Sequence, residues 1–397
     1  MVDIRVTRTA KIPDPIRISR YQKIPELGPR ILFFTGGSAL NGLSKVLKNF
    51  THNSIHLVTP FDSGGSSAEL REAFNMPSIG DLRSRMMALA DESVLGHPEV
   101  YDLFNYRFPE DQSNDELRDQ LLDMVKGEAR RIDVITSPMR KLICHQLGFF
   151  LDAMPDDFDL RGANIGNLIL AGGYMNNHQH LDPIIFLFSK LVNVQGTVRS
   201  IVNENLHLGA ELADGNKIIG QNQLTGKEVA PLSQPIKKLF LSQSRSEFIP
   251  AEAQLHKKNR KLIETADLIC YPPGSFYTSV LANLMPAGVG KAIAANNSPK
   301  VYVPNLGSDP EQIGMTLEQM LESLLTQLQA DFSQTTANEK LLNYVLMDSR
   351  NGNYASKLSQ SYLRDLGIEL IDVNLVSKQS APYYDNDLLV SALLSLT

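Results

Sequence analysis

Three runs of glycine and serine mark places in the 397-residue chain where the backbone can meet an anion. They are Thr35-Gly36-Gly37-Ser38-Ala39-Leu40, Asp62-Ser63-Gly64-Gly65-Ser66-Ser67 and Pro273-Gly274-Ser275-Phe276-Tyr277-Thr278-Ser279. Glycine lets a ligand approach the main chain, and free N–H groups at a helix start attract phosphate through hydrogen bonds and the helix dipole. None is a dinucleotide-binding GxGxxG, and none is a Walker A loop, because no Gly-Lys-Ser/Thr follows. The first is not a nucleophile elbow either, since Leu40 stands where that motif needs its last glycine. Alone, the first run is also compatible with a structural turn, and the second with an N-capped helix.

The second run carries the most chemistry. Its serines offer hydroxyl donors, Asp62 is a Mg²⁺ ligand candidate, and Arg71 on the following helix is a phosphate partner candidate. Gly80-Asp81-Leu82-Arg83 and Asn164-Ile165-Gly166-Asn167 supply residues able to line the same cleft. His178-Gln179-His180 with Asp182 lacks a third supporting ligand and reads as a solvated turn. Asp156, Asp157 and Asp159 follow Pro155 and read as helix caps or solvated acids.

The elements that must hold these loops are legible from hydrophobic spacing. Ile31 to Thr35 is a continuous apolar run, the pattern of a buried parallel strand. Leu40, Leu43, Val46, Leu47 and Phe50 then recur at helical spacing, and Ile55 to Thr59 makes a second strand. This β-α-β order predicts a parallel sheet covered by helices, with the first two loops at the carboxyl ends of neighbouring strands, where open α/β sheets bind ligands. Further strands are expected at Leu268 to Tyr271, Val301 to Val303 and Ile368 to Leu375. Helices are expected at Met315 to Phe332, Ala355 to Leu366 and Asn386 to Leu396. Residues 97–159 read as helical. Residues 195–229 read as β-like, with Asp214-Gly215 a hairpin signal.

Composition bounds the function. There are 38 basic and 44 acidic residues, a net charge of −6, which gives no footprint for a nucleic acid or an anionic membrane. Hydrophobic residues at 43% and charged residues at 21% fit an ordinary globular chain. No window approaches the ~18 apolar residues of a membrane span. Cys144 and Cys270 make no disulfide framework or zinc site, which fits a reducing cytoplasm. Residues 1–30 carry spread basic residues broken by Pro13, Pro15 and Pro25. They are expected to be an extension, a strand or loop packed on the domain, rather than a nucleic-acid arm.

The order of the motifs resembles the CofD/YvcK-like family, which includes 2-phospho-L-lactate transferase. The resemblance rests on Thr35 to Asn41, Asp62 to Arg71, Pro77 to Arg83 with Ala88 to Asp91, Leu103 to Phe108, Gly166-Asn167-Leu168, Ala210 to Gly215, and Ala266-Asp267 through Ser279. It covers most of residues 31–305 and is closer to the YvcK-like branch. It implies a Rossmann-like α/β fold, mainly a parallel sheet with helices on both faces, plus a small β-rich segment. The domain would span 31–397, with a helical insertion at 109–159 that short members lack. The implied ligand is a nucleotide diphosphate or nucleotide sugar, used by a phosphate-linked group transferase or bound by a non-catalytic regulator. A homodimer is expected, with no nucleic-acid or membrane partner.

Carried over by position, Gly36, Gly37 and Ser38 fall on the phosphate loop; Asn41 and, on the second loop, Ser63, Gly64, Gly65, Ser66 and Ser67 are further nucleotide-binding candidates. Asp81, Arg83, Asn167, Gly274, Ser275, Thr278 and Ser279 complete the implied binding set. Asp62 and Arg71 are the catalytic candidates, and Asp62 the Mg²⁺ ligand. Two departures stand out: Gly37-Ser38-Ala39 replaces the family's Gly-Thr-Gly, and Ser63 replaces the second acid of its acidic pair.

Overall fold

The computed structural model of the protein describes residues 9–226 and 229–397. Its centre is a seven-stranded sheet built from β1 (Ile31–Thr35), β2 (Ile55–Val58), β3 (Thr197–Ser200), β8 (Leu268–Tyr271), β9 (Lys300–Tyr302), β10 (Tyr344–Met347) and β11 (Glu369–Asp372). The order across the sheet is β11-β10-β9-β8-β1-β2-β3, and each of its neighbouring pairs is parallel. The chain winds outward from β1 through β2 to β3, then returns to the other side of β1 with β8. The direction of winding therefore reverses between β1 and β8, which opens a crevice at their carboxyl ends. The first and third glycine loops leave these two strands, and the second leaves β2.

Alternation within β1 shows why both faces are covered. Ile31 and Phe33 join a core with Leu43 and Leu47 of helix Asn41–Leu47 and Leu389 and Leu393 of helix Asn386–Ser395. Leu32 and Phe34 point into the opposite core, with Ile293 and Leu324 of helices Val289–Ala295 and Leu317–Gln329. A four-stranded antiparallel sheet adds to that second core. It comprises β4 (His207–Leu212), β5 (Lys217–Ile219), β6 (Ile236–Ser242) and β7 (Pro250–Ala251), in the order β5-β4-β6-β7. The turn between β4 and β5 is at Asp214-Gly215, with Gly215 at φ 87°, as the hairpin signal predicts.

Residues 109–159 hold helices Asn114–Lys126, Arg130–Asp133 and Met139–Ala153. The first begins in a capping box between Ser113 and Glu116 and ends at Gly127 in the left-handed region. Leu117, Leu121 and Met124 are buried in a third core, with helices Gly80–Leu89 and Ile165–Asn176 contributing to it. Leu122, on the outer side of the same helix, is 38% exposed. The two stems of the segment are laced together. Phe108 N–H donates to Ala163 O (2.9 Å), Gly162 N–H to Phe108 O (3.1 Å), and Ile165 N–H to Tyr106 O (2.9 Å).

Several expectations change. The described part of the amino-terminal extension is not a strand or loop: residues Pro15–Lys23 form a helix, capped by Asp14, against the carboxyl-terminal helix. Residues 1–8 lie outside the described residues. Strand β10 was not expected, and Thr197–Ser200 belongs to the parallel sheet rather than to the antiparallel segment. The expected helix at Ala355 to Leu366 covers only Gln360–Leu366. His178 and Gln179 form a turn with positive φ, and Asp182 is paired with Arg199 at 2.8 Å.

Candidate functional site

The first loop is a close-packed junction. A Cβ on Gly36 would lie 2.2 Å from Ser279 Oγ, and one on Gly37 would lie 2.3 Å from Asp81 Oδ1. Neither position leaves free space for a side chain, because Ser279 of the third loop and Asp81 of helix Gly80–Leu89 fill the Cβ directions. Beneath the loop lies Arg85, fully buried. It donates to Gly37 O (2.7 Å), Gly36 O (3.3 Å), Thr35 Oγ1 (3.0 Å) and Ser44 Oγ (2.7 Å). Burial pushes its pKa down to about 10, partly offset by Asp81, so the guanidinium stays charged at neutral pH. The carbonyls of the loop are thus held downward, and a cation sits behind its cleft side.

The second loop has the same construction. Asp62 Oδ1 accepts from Gly64 N–H (3.2 Å), and Gly65 at φ 45° opens helix Gly65–Phe74. Arg71 was expected to meet phosphate. Instead it is 5% exposed and lies under the loop, donating to Phe61 O, Asp62 O, Leu206 O and Asn205 Oδ1. Burial lowers its pKa to about 10, against the attraction of Asp62. His207 Nδ1 takes a further Arg71 N–H at 3.3 Å. That imidazole is held neutral, its pKa near 4 through burial and the charges of Arg71 and Arg245. Ser63 does not face the cleft: its hydroxyl bonds Asn222 Oδ1 (2.8 Å) and accepts Asn222 N–H (3.1 Å), which ties segment 221–225 to the loop.

At the third loop, Gly274 has φ 140° and is clamped by the Asn305 side-chain amide in both directions at 2.6 Å. The N–H groups expected to receive an anion here are already engaged. Phe276 N–H donates to Asp309, while Tyr277 and Thr278 N–H donate to Glu311 at 2.9 Å, joined by the Thr278 hydroxyl. Glu311 is 1% exposed, and burial with Asp309 beside it raises its pKa to about 7. An internal acid occupies these N–H groups, and of this loop Pro273, Gly274, Ser275 and Ser279 reach the cleft.

The three loops enclose one cavity of about 150 Å³, lined also by Asp62, Gly64, Asp81, Asn222 and Thr225. A wider pocket of about 530 Å³ adjoins it, sharing Asp62 and Gly64. Gly65, Ser66, Ser67, Arg83 and Asn167 line that second pocket, together with Arg107, Glu110 and Arg161. Most of the expected residues therefore meet, whereas Asn41, Ser63, Arg71 and Thr278 stand behind the walls. Asn41 donates to Ser84 Oγ (3.0 Å). Arg85, Asn222, Arg107, Asp309 and Glu311 were missed. Each is distant in sequence from the loop it serves, and of the five only Arg107 lies within a recognised motif, Leu103 to Phe108, which did not single it out.

The donor set suits Mg²⁺. Asp62 and Asp81 both line the cavity, and among the described residues no group of three or more His, Cys, Asp or Glu could hold a metal. One or two carboxylates completed by ligand phosphates and water is the ordinary mode for this ion, unlike an all-protein cage. Asp81 thus supplies a second acid to the cavity where Ser63 does not.

A doubly wound parallel sheet with glycine loops at its switch point defines a Rossmann-like α/β protein with a glycine-lined cleft. The CofD family model, described as 2-phospho-L-lactate transferase CofD, matches residues 31–383, and the chain belongs to this family. The gluconeogenesis factor of Bacillus subtilis (strain 168) is 29% identical over 282 residues, 71% of this chain and 69% of that protein. The gluconeogenesis factor of Listeria monocytogenes is 30% identical over 296 residues, 73% of this chain and 70% of that protein. A relative from Nostoc sp. (strain PCC 7120) is 29% identical over 301 residues. This chain spans about half of it, 52%. The fold matches a Bacillus halodurans crystal structure, described as a member of the UPF0052 family, with a TM-score of 0.66. Identity is 23%, and the match covers 92% of this chain and 99% of that one.

Proposed function

We propose that the cleft binds a nucleotide-diphosphate-linked ligand with Mg²⁺ and that the chain is a CofD-type transferase of a phosphate-linked group. One observation carries this reading: two buried arginines, Arg85 and Arg71, brace adjacent glycine loops from behind at the switch point of the sheet. Their charges favour an anion on the cleft side. Asp62 and Asp81 would hold Mg²⁺, which would offset charge on the transferring phosphoryl group when bound. The chain's own part is positioning: the loops fix the diphosphate, and Ser275 and Ser279 offer hydroxyl donors. Arg71 and Arg85 act through the loops, without touching the ligand. Phosphoryl-group chemistry depends mainly on such positioning and charge stabilisation.

A second reading is a non-catalytic nucleotide-sugar-binding regulator. It is favoured by Ser63, which stands at the position of the family's second acid and is locked to Asn222, and by the relatives named gluconeogenesis factor. A turnover assay with nucleotide-linked donors, acceptor and Mg²⁺ separates the two. A transferase releases nucleoside monophosphate, whereas a regulator binds the ligand and leaves it intact.

A further inference from the structure

The wider pocket beside the nucleotide cleft contains cations that the reading above does not use. Arg83 reaches it across the first turn of helix Ile165–Asn176, where a Cβ on Gly166 would come within 2.9 Å of Arg83 Cδ. Its Nε is buried with no hydrogen-bond partner among the described residues, and Nη1 has only a long contact to Phe104 O (3.5 Å). Besides burial, the charge that acts on Arg83 is another cation, Arg107. Arg107 comes from one stem of the insertion and gives one donor to Gly162 O on the other stem (2.9 Å).

Asn167, 2% exposed, lines the same pocket with its Oδ1 unpartnered, and its amide reaches Ser66 Oγ at 3.4 Å. The helices that begin at Gly65, Gly80 and Ile165 all turn their amino-terminal residues to this pocket. Acids are present too: Asp62, Glu69 and Glu110 line it, and Arg161 is paired with Asp159 at 2.7 Å. Arg83, largely buried, and Arg107, on the exposed rim, nonetheless line this one pocket, and among the described residues neither is held in a salt bridge to an acid. A buried guanidinium N–H with no acceptor, as at Arg83 Nε, is costly to leave unmatched.

We infer that this pocket is a distinct oxyanion subsite, built by the two stems of the insertion around Arg83 and Arg107, which takes a phosphate or carboxylate group bonded also by Ser66 and Asn167. It goes beyond the nucleotide reading while resting on it for one point, that the adjoining cavity is where the diphosphate lies. The oxyanion belongs either to a separate second ligand or to the distal end of the nucleotide-linked one. For the protein this is the same chemistry.

The test is isothermal titration of the full chain with inorganic phosphate, first alone and then with GDP or UDP and Mg²⁺ at saturation. The variant Arg107→Gln, at an exposed stem position, is used alongside Arg107→Glu, because Arg83 variants risk misfolding. Phosphate is expected to bind, and Arg107→Gln to weaken it about tenfold, with Arg107→Glu abolishing it. Phosphate binding to the nucleotide-saturated protein, with nucleotide affinity within twofold of the parent in Arg107→Gln, assigns the subsite to a second ligand. Competition, with both affinities lowered in Arg107→Gln, puts a phosphate of the nucleotide itself in the pocket and overturns a subsite distinct from the main cleft. Phosphate binding that is absent, or unchanged in both variants, overturns the subsite. Arginine-dependent phosphate binding without any nucleotide binding would instead leave the subsite standing and defeat the reading of the main cleft.

Discussion

Replacing Gly36 by alanine should force the first and third loops apart. The new methyl carbon would sit 2.2 Å from Ser279 Oγ and 3.0 Å from Ser279 Cβ, so rotating the hydroxyl away does not relieve the whole clash. Overpacking of this kind costs about 1–3 kcal/mol. For 397 residues the unfolding entropy is about 0.8 kcal/mol per degree, so Tm should fall by roughly 1–4 °C. Nucleotide affinity should fall further than stability suggests, because the displaced backbone is itself the binding surface. A loss of about 1.4 kcal/mol there is tenfold in Kd. The assay is a double-mutant cycle with Ser279→Gly, which removes both clashing atoms. Direct neighbours should couple by about 1–3 kcal/mol, with the double variant recovering much of the Tm and affinity lost in Gly36→Ala. No recovery in the double variant would refute the close approach of the two loops.

Asp62→Asn should abolish the Mg²⁺-dependent part of the thermal shift given by a nucleoside diphosphate, yet keep the metal-free part. In the parent protein, ligand at about 100 times its Kd adds roughly 2.7 kcal/mol. An unaltered Mg²⁺ dependence in the variant would remove Asp62 as the ligand. Arg71→Met leaves the buried carbonyls of Phe61, Asp62 and Leu206 without this donor, and should cost about 3 kcal/mol in urea titrations. A change under 1 kcal/mol would contradict its bracing role. Glu311 binds its proton more tightly folded than unfolded, so its contribution to stability falls as pH rises from the ordinary carboxylate range through about 7. Tm measured between pH 5 and 8 should therefore decline less steeply in Glu311→Gln, and identical profiles would exclude Glu311 as the titrating group.

What the sequence revealed depended on how local each signal was. β1 and β8 are continuous apolar runs that end in glycine and serine, so both strand and loop are written in neighbouring residues. β10 carries Tyr344-Val345-Leu346-Met347, only four residues followed by the polar turn Asp348 to Asn351 rather than a Gly-Ser helix start, and its place is fixed by pairing with β9 and β11. The loops were recognisable, but not which side of each loop a side chain takes. Arg71 looked like a phosphate partner because it lies on the helix after the second loop. Its direction is decided by carbonyls at 205–206, which only the fold brings near. The same holds for Glu311, whose reach to Tyr277 and Thr278 turns an expected anion pocket into an internally capped turn. Asp81 is the instructive case in the other direction. It was assigned to the cleft, and the structure sets it against Gly37, where it supplies a carboxylate beside Asp62 in the same cavity.

The central claim is that the three loops act as one nucleotide-diphosphate cleft, and amide NMR with ¹⁵N-glycine labelling tests it most directly. The chain has 26 glycines, few enough to follow individually. Titration with GDP or UDP in Mg²⁺ should move the signals of Gly36, Gly37, Gly64 and Gly274 together, at one common Kd. Gly127 and Gly367, which cap helices elsewhere, should stay in place. Shifts confined to one loop, or following different affinities at different loops, would contradict a single cleft.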